Sequence, residues 1–150
     1  MTSDRADPVA IVGGGFSGTM VAANLARKGI DSVLIESAGR AGQGVAYSTR
    51  EPAHVLNVRA EVMSAWADDL EHFVRVAETE GNTRRDFVQR RQFGRYLRGL
   101  LDDAIASGHV RLVEAQVTSA EPDGGSWNVS LDGGEVIKAS GLVLAIGNQP

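Results

Sequence analysis

The chain has 150 residues, 43% hydrophobic and 23% charged, with a formal net charge of −4 and a pI near 5.3, which suits one domain that buries roughly 70% of its unfolded surface. That acidic balance argues against the broad positive field that nucleic acid or an anionic membrane surface calls for, and no apolar run approaches the ~20 residues of a membrane span. There is no cysteine, which excludes disulfides, thiolate metal sites, a cysteine nucleophile and a redox-active cysteine pair, so redox chemistry would have to come from a cofactor.

Met1 to Pro8 is polar and leads into Val9–Val12, a run too brief for the hydrophobic region of a signal peptide, so a cytoplasmic location is expected. Val9–Val12 reads as a buried strand, Gly15–Lys28 as a helix stopped by Gly29, and Ser32–Ile35 as a second buried strand, giving β-α-β. Residues 37–65 carry no sustained period and read as a long surface loop, a feature that is often functional at this length. Asp68 or Asp69 is expected to cap a helix through Leu70, Phe73, Val74 and Ala77 to Gly81. From Arg91 to Ala106 the apolar residues Phe93, Tyr96, Leu97, Leu100, Leu101, Ala104 and Ile105 form one stripe, the mark of a helix that packs on something.

After Gly108 the pattern becomes strand-like, with Val110–Ala120, Trp127–Leu131 and Val136–Lys138 separated by Asp123-Gly124-Gly125 and Asp132-Gly133-Gly134. Glycines there supply the positive φ angles of tight hairpins, so a three-stranded antiparallel meander is expected. Leu142–Ile146 is wholly apolar, as suits a parallel strand covered on both faces. Gly147-Asn148-Gln149-Pro150 follows it directly, and a buried strand so close to the terminus suggests part of a longer protein. The fold class expected is α/β, a parallel sheet with an N-terminal βαβ unit and an antiparallel meander, forming an incomplete domain over 1–150.

Gly13-Gly14-Gly15-Phe16-Ser17-Gly18 satisfies G-x-G-x-x-G between the first strand and the first helix. Gly13 permits the tight turn, Gly15 lets the backbone approach a pyrophosphate, and Gly18 lets helix and strand pack closely. The helix start adds free N–H groups and a partial charge of roughly +0.5. Glu36, with Ser37 beside it, ends the second strand where a carboxylate reaches a ribose hydroxyl pair and repels a 2′-phosphate. FAD or NAD therefore fits this site better than NADP. Ala22 and Ala23 are small where the helix must approach the sheet.

The extended pattern of Ile11, Val12, the glycine turn, Ala22, Leu25, Gly29 and Glu36 resembles the FAD fingerprint of the glutathione-reductase-type and aromatic-hydroxylase flavoproteins. The order of helix, strand, meander and final apolar strand ending in Gly147 is similar as well. Gly42–Ser48, His54–Val58 and Arg91–Leu97 further resemble a bacterial FAD/NAD(P)-binding protein family, some of whose members are named FAD-dependent urate hydroxylases. Two departures are Gln89 and Arg59, where proline is common. The resemblance implies that Gly44, Val45 and the residues to Ser48 run near the ribityl chain and flavin, with Asn57 near the same face. It also implies that Val117 meets adenine through its backbone, that Gly147 approaches the cofactor, and that Arg91 reaches the pyrophosphate. The activity implied is that of an FAD-dependent oxidoreductase, with an NAD(P)H-dependent monooxygenase of a small-molecule substrate as the favoured form. A non-catalytic FAD- or ADP-binding module and an inactive fragment stand as alternatives.

No residue emerges as a general acid or base. His54, His72 and His109 are far apart and lack metal-site spacing, and Ser17 lacks the G-x-S-x-G context of a nucleophile elbow. The arginines 84, 85, 90, 91, 95 and 98 form one basic stretch, of which 91, 95 and 98 share a helix face that reads as solvated.

Overall fold

The computed structural model describes residues 6–147. Among these residues, two sheets and four α-helices stack in three layers. Strands β1 (Val9–Val12), β2 (Ser32–Glu36), β3 (Val110–Glu114) and β7 (Gly141–Leu144) form a parallel sheet in the order β3-β2-β1-β7. Strands β4 (Val117–Asp123), β5 (Ser126–Leu131) and β6 (Val136–Ala139) form an antiparallel meander. The helices are α1 (Phe16–Arg27), α2 (Gly44–Tyr47), α3 (His72–Thr79) and α4 (Arg90–Ala106).

The alternation of side chains along a strand sends each parallel strand into two cores. Ile11 and Leu34, with Val110 of β3, point to the helix layer, where Ala22, Ala23, Leu101 and Ala104 pack on them. Ala10, Val33 and Ile35 point to the meander, against Val129, Leu131, Ile137 and Ala139. A third cluster lies beside the sheet, where α4 and α3 bury Phe93, Tyr96, Leu97 and Phe73 together with Leu56 and Val88. Small residues at 22 and 23, fully buried in α1, let that helix sit close to the sheet as the sequence suggests.

The first βαβ unit, the meander and the long helix stand as expected, and four details differ. The run Val110–Ala120 is two strands in different sheets, because Ala115 and Gln116 carry the chain from the edge of the parallel sheet into the meander. The region 37–65 contains α2 and a 3-10 turn at Ala60–Val62. The helix expected from Asp68 or Asp69 begins at His72 without a side-chain cap. Asp68 and Asp69 instead pair with Arg27 and Arg75, and Leu70 is 66% exposed. Strand β7 is at the sheet edge, paired with β1 alone and only half-covered, rather than enclosed on both faces. Asn148, Gln149 and Pro150 lie outside the described residues.

Candidate functional site

The carboxyl ends of β1, β2, β3 and β7 open onto a cleft of about 970 Å³, the position at which open parallel sheets hold ligands. Its base is the turn after β1. The Gly13 N–H donates to the Ile35 carbonyl at 2.8 Å and the Ala145 N–H donates to the Val12 carbonyl at 2.8 Å, so the turn is sewn to the ends of β2 and β7. Gly13 has φ +103°, and a Cβ there would stand 2.2 Å from the Ala145 carbonyl oxygen. A Cβ on Gly18 would stand 1.8 Å from the Gly13 carbonyl oxygen and 3.4 Å from Leu34. Both positions are closed to every other residue by backbone.

Gly15 is different. Its Cβ position meets only the Gly44 Cα, at 3.7 Å, so the backbone at the start of α1 is bare toward the cleft that Gly15 lines. The N–H groups of the first turn of α1 have no partner within the helix, and Phe16 and Ser17 of that turn line the same space.

Glu36 at the end of β2 is held from two sides. Its Oε2 accepts the Gly14 N–H at 2.7 Å and its Oε1 accepts the Ala38 N–H at 2.8 Å. The carboxylate is thus fixed against the glycine turn while each oxygen keeps a second lone pair. The chain then folds back, and the Gly42 N–H donates to the Gly14 carbonyl at 2.8 Å. Gly44, with φ +59°, abuts Gly15 so closely that a Cβ would lie 2.9 Å from its Cα. The strap 40–44 therefore forms one wall of the cleft.

Of the residues singled out from sequence, Gly13, Gly15, Phe16, Ser17, Glu36, Ser37, Gly44, Val45, Val117 and Gly147 all line the cleft. Gly18 lies beneath it, packed on Gly13. Asn57 and Arg91 do not line it: Asn57 is exposed on the loop after Leu56, and the Arg91 guanidinium donates to Gln89 Oε1 at 2.6 Å. The motifs at 42–48, 54–58 and 91–97 nevertheless converge. Tyr47 stacks edge-on to Phe93 at 4.9 Å, the Tyr47 carbonyl comes within 2.4 Å of where a Gly94 Cβ would be, and Leu56 donates its N–H to Val88.

Sequence reasoning missed Arg40, Gln43, Gln116, Leu144, Ala145 and Ile146, all of which line the cleft. The signal available was position, since each of these follows or ends a parallel strand or lies in the strap after β2. The cleft walls also present large apolar side chains to solvent: Phe16 is 43% exposed, Val45 80%, Leu144 65% and Ile146 50%.

The remaining candidates are structural. His54 meets Thr49, His109 meets Asp31 and His72 meets the Tyr96 hydroxyl. Burial pushes the Tyr96 hydroxyl above its ordinary pKa, against the opposing pull of the Ala65 N–H. Among the described residues no group of three or more His, Asp or Glu side chains is placed to hold a metal ion, and no helix is long and apolar enough to cross a membrane. The basic stretch is largely occupied: Arg84 pairs with Glu61 and Glu71, Arg95 with Glu80, Arg98 with Asp102, and Arg90 donates to the Val55 carbonyl.

A family model described as FAD-NAD(P)-binding matches residues 10–149. A Baeyer-Villiger monooxygenase of Stachybotrys chlorohalonatus is 27% identical over 141 residues, covering 93% of this chain and 21% of that protein. Among solved structures, an oxidised steroid monooxygenase bound to NADP superposes with a TM-score of 0.70 at 25% identity, over 97% of this chain and 28% of that one. A closed cyclohexanone monooxygenase gives 0.67 at 23% identity, over 99% of this chain and 28% of that one. The chain spans less than a third of the length of these three relatives.

Proposed function

Since the chain belongs to the FAD-NAD(P)-binding family, we propose that it forms the FAD-holding part of a flavin-dependent oxidoreductase, an NAD(P)H-dependent monooxygenase of a small-molecule substrate. The observation that carries this reading is the glycine turn: backbone closes the Cβ positions of Gly13 and Gly18, whereas that of Gly15 opens onto the cleft. A turn required only to join strand to helix has no use for the third feature. In a dinucleotide site it gives phosphate oxygens access to the first-turn N–H groups of α1, where the helix dipole favours negative charge.

In this reading the N–H groups of Phe16 and Ser17 hold the diphosphate, Gly13 and Gly18 keep the turn in shape, and Glu36 accepts from the adenosine ribose hydroxyls. Ser37 and the Val117 backbone lie on the adenosine side. Gly44, Val45 and Gly147 border the remainder, where the exposed faces of Phe16, Val45, Leu144 and Ile146 offer flat apolar surface for a ring system to cover. Asn57 and Arg91 take no part in it. The flavin would supply the electron transfer, and the polypeptide binds and orients it.

Among the described residues, Glu36 and Arg40 are the charged residues of the cleft lining, and no histidine, lysine or tyrosine joins them. That favours a second reading for the chain taken alone, a binding module without turnover. For either form we propose a cytoplasmic location, as expected from the sequence. The test is titration of the purified chain with FAD followed by calorimetry and visible absorbance. A yellow complex that Glu36→Ala weakens at least roughly tenfold, as loss of hydrogen bonds to a charged acceptor implies, supports the site. No heat with FAD, or an unchanged affinity in the variant, refutes it. Oxygen consumption with added NADH or NADPH separates enzyme from module.

A further inference from the structure

Resting on the reading of the cleft as a dinucleotide site, we propose that Arg40 is the counter-ion of the dinucleotide's diphosphate. A diphosphate brings negative charge next to Glu36, itself a carboxylate fixed beside the glycine turn. The α1 terminus offsets this by roughly half a charge. A cation would complete the balance, and among the described residues Arg40 is the one basic residue that lines the cleft.

The other arginines near this end of the fold are committed elsewhere. Arg98 is taken by Asp102 and the Ala41 carbonyl, and Arg91 by Gln89. Among the described residues Arg40 has no hydrogen bond or ion pair through its side chain, which is exposed. Its backbone, by contrast, is anchored: the Arg40 carbonyl accepts the N–H groups of Gln43 at 3.1 Å and Gly44 at 3.0 Å. Gly42 then bonds Gly14, and Gly44 abuts Gly15. An anchored backbone at the start of the strap, lining the same cleft as Phe16 and Ser17 and bearing a guanidinium without a hydrogen-bond or ion-pair partner among the described residues, suits a planar, bidentate donor to phosphate oxygens.

The guanidinium could instead serve a 2′-phosphate on the adenosine ribose, since Glu36 and Ser37 line the same side. The two assignments separate by ligand. Calorimetry is run on the full chain and on Arg40→Lys, Arg40→Gln and Arg40→Glu, with FAD, ADP and 2′,5′-ADP as probes at low and high salt. Diphosphate pairing predicts that affinity for FAD and ADP falls in the order Arg, Lys, Gln, Glu. The loss at Gln should be roughly tenfold or more, as for a charge-assisted pair, and the salt dependence of binding should flatten in step. Melting temperatures of the unliganded variants should stay at the parent value, because the side chain is exposed and makes no hydrogen bond or ion pair among the described residues.

Equal FAD affinity across the four proteins overturns the assignment while leaving the cleft reading intact. Loss confined to 2′,5′-ADP overturns it in favour of the ribose phosphate. If the parent chain binds none of the three probes, the cleft reading falls and this assignment with it.

Discussion

Gly13 and Gly18 at the base of the cleft and Gly124, Gly125 and Gly134 in the hairpins of the meander are one residue type meeting two demands. At the first pair, an added Cβ collides with carbonyl oxygens at 2.2 and 1.8 Å; at the three hairpin glycines it meets nothing within 4 Å, and only their positive φ restricts the choice. The first demand is imposed by distant parts of the chain, with β1, α1 and β7 all contributing backbone to the same few ångströms. The second is local, a matter of torsion in a turn. The difference shows where the molecule tolerates change: a turn can be re-strained at modest cost, whereas a site built by backbone from three elements has no side chain that can move aside.

The contrast is most exposed to Gly18→Ala, the largest effect expected. Because the collision is with backbone, the loss should be about 3 kcal/mol or more, read as a fall in the urea midpoint, with FAD binding abolished. A midpoint close to that of the parent would show that α1 slides off β1 freely and would break the distinction. Next comes a matched pair within α4. Gly94→Ala places a Cβ 2.4 Å from the Tyr47 carbonyl oxygen and should cost about 1–3 kcal/mol. Gly99→Ala meets nothing within 4 Å and should raise stability by about 0.5–1 kcal/mol. Equal effects of the two would mean that helix propensity, not contact with Tyr47, governs the position.

Gly125→Ala, at φ +91° with open space around it, should cost about 1–2 kcal/mol through torsion alone and leave FAD binding as it was. A change in affinity there would tie the meander to the site. The smallest effect concerns Asp68 and Asp69, whose carboxyls are held below their ordinary range first by hydrogen bonds from Arg27 and Arg75. A depressed folded-state value means that the stability lent is present at neutral pH and disappears as pH falls through that value. Asp68 is exposed and Asp69 partly exposed, so the melting difference between the parent and a double Asp→Asn variant should be slight at neutral pH and close on acidification. A difference that widened in acid would contradict the pairing.

Much of this was readable from residues alone wherever the cause was local. The strand, turn and helix from Val9 to Arg27 follow from period and glycine spacing, and the hairpin glycines marked the meander. Ten of the thirteen site positions chosen from sequence line the cleft because they lie in motifs or at strand ends. Failures came where tertiary packing decided. Nothing in Val110–Ala120 says that the chain changes sheets at Ala115, because both halves are equally strand-like. Asp68 and Asp69 looked like helix caps, but arginines 27 and 75 claim them. Arg91 drew attention as the arginine of a recognised motif, while Arg40, in an unpatterned stretch, reaches the cleft because Gly42 and Gly44 bind the strap to the glycine turn.

The placing of β1 has a kinetic consequence. On one flank it pairs with β2 through Val9 and Ser32, which are close in the chain; on the other it pairs with β7 through Val9 and Gly141, which are separated by nearly its whole length. The first contact closes a short loop and the second a very long one, the type of closure that slows folding. Since the Ala145 carbonyl is the lid against which Gly13 is set, the cleft comes into existence only when that long loop shuts. The moment at which refolding chains first capture FAD would therefore time the slowest closure of the sheet.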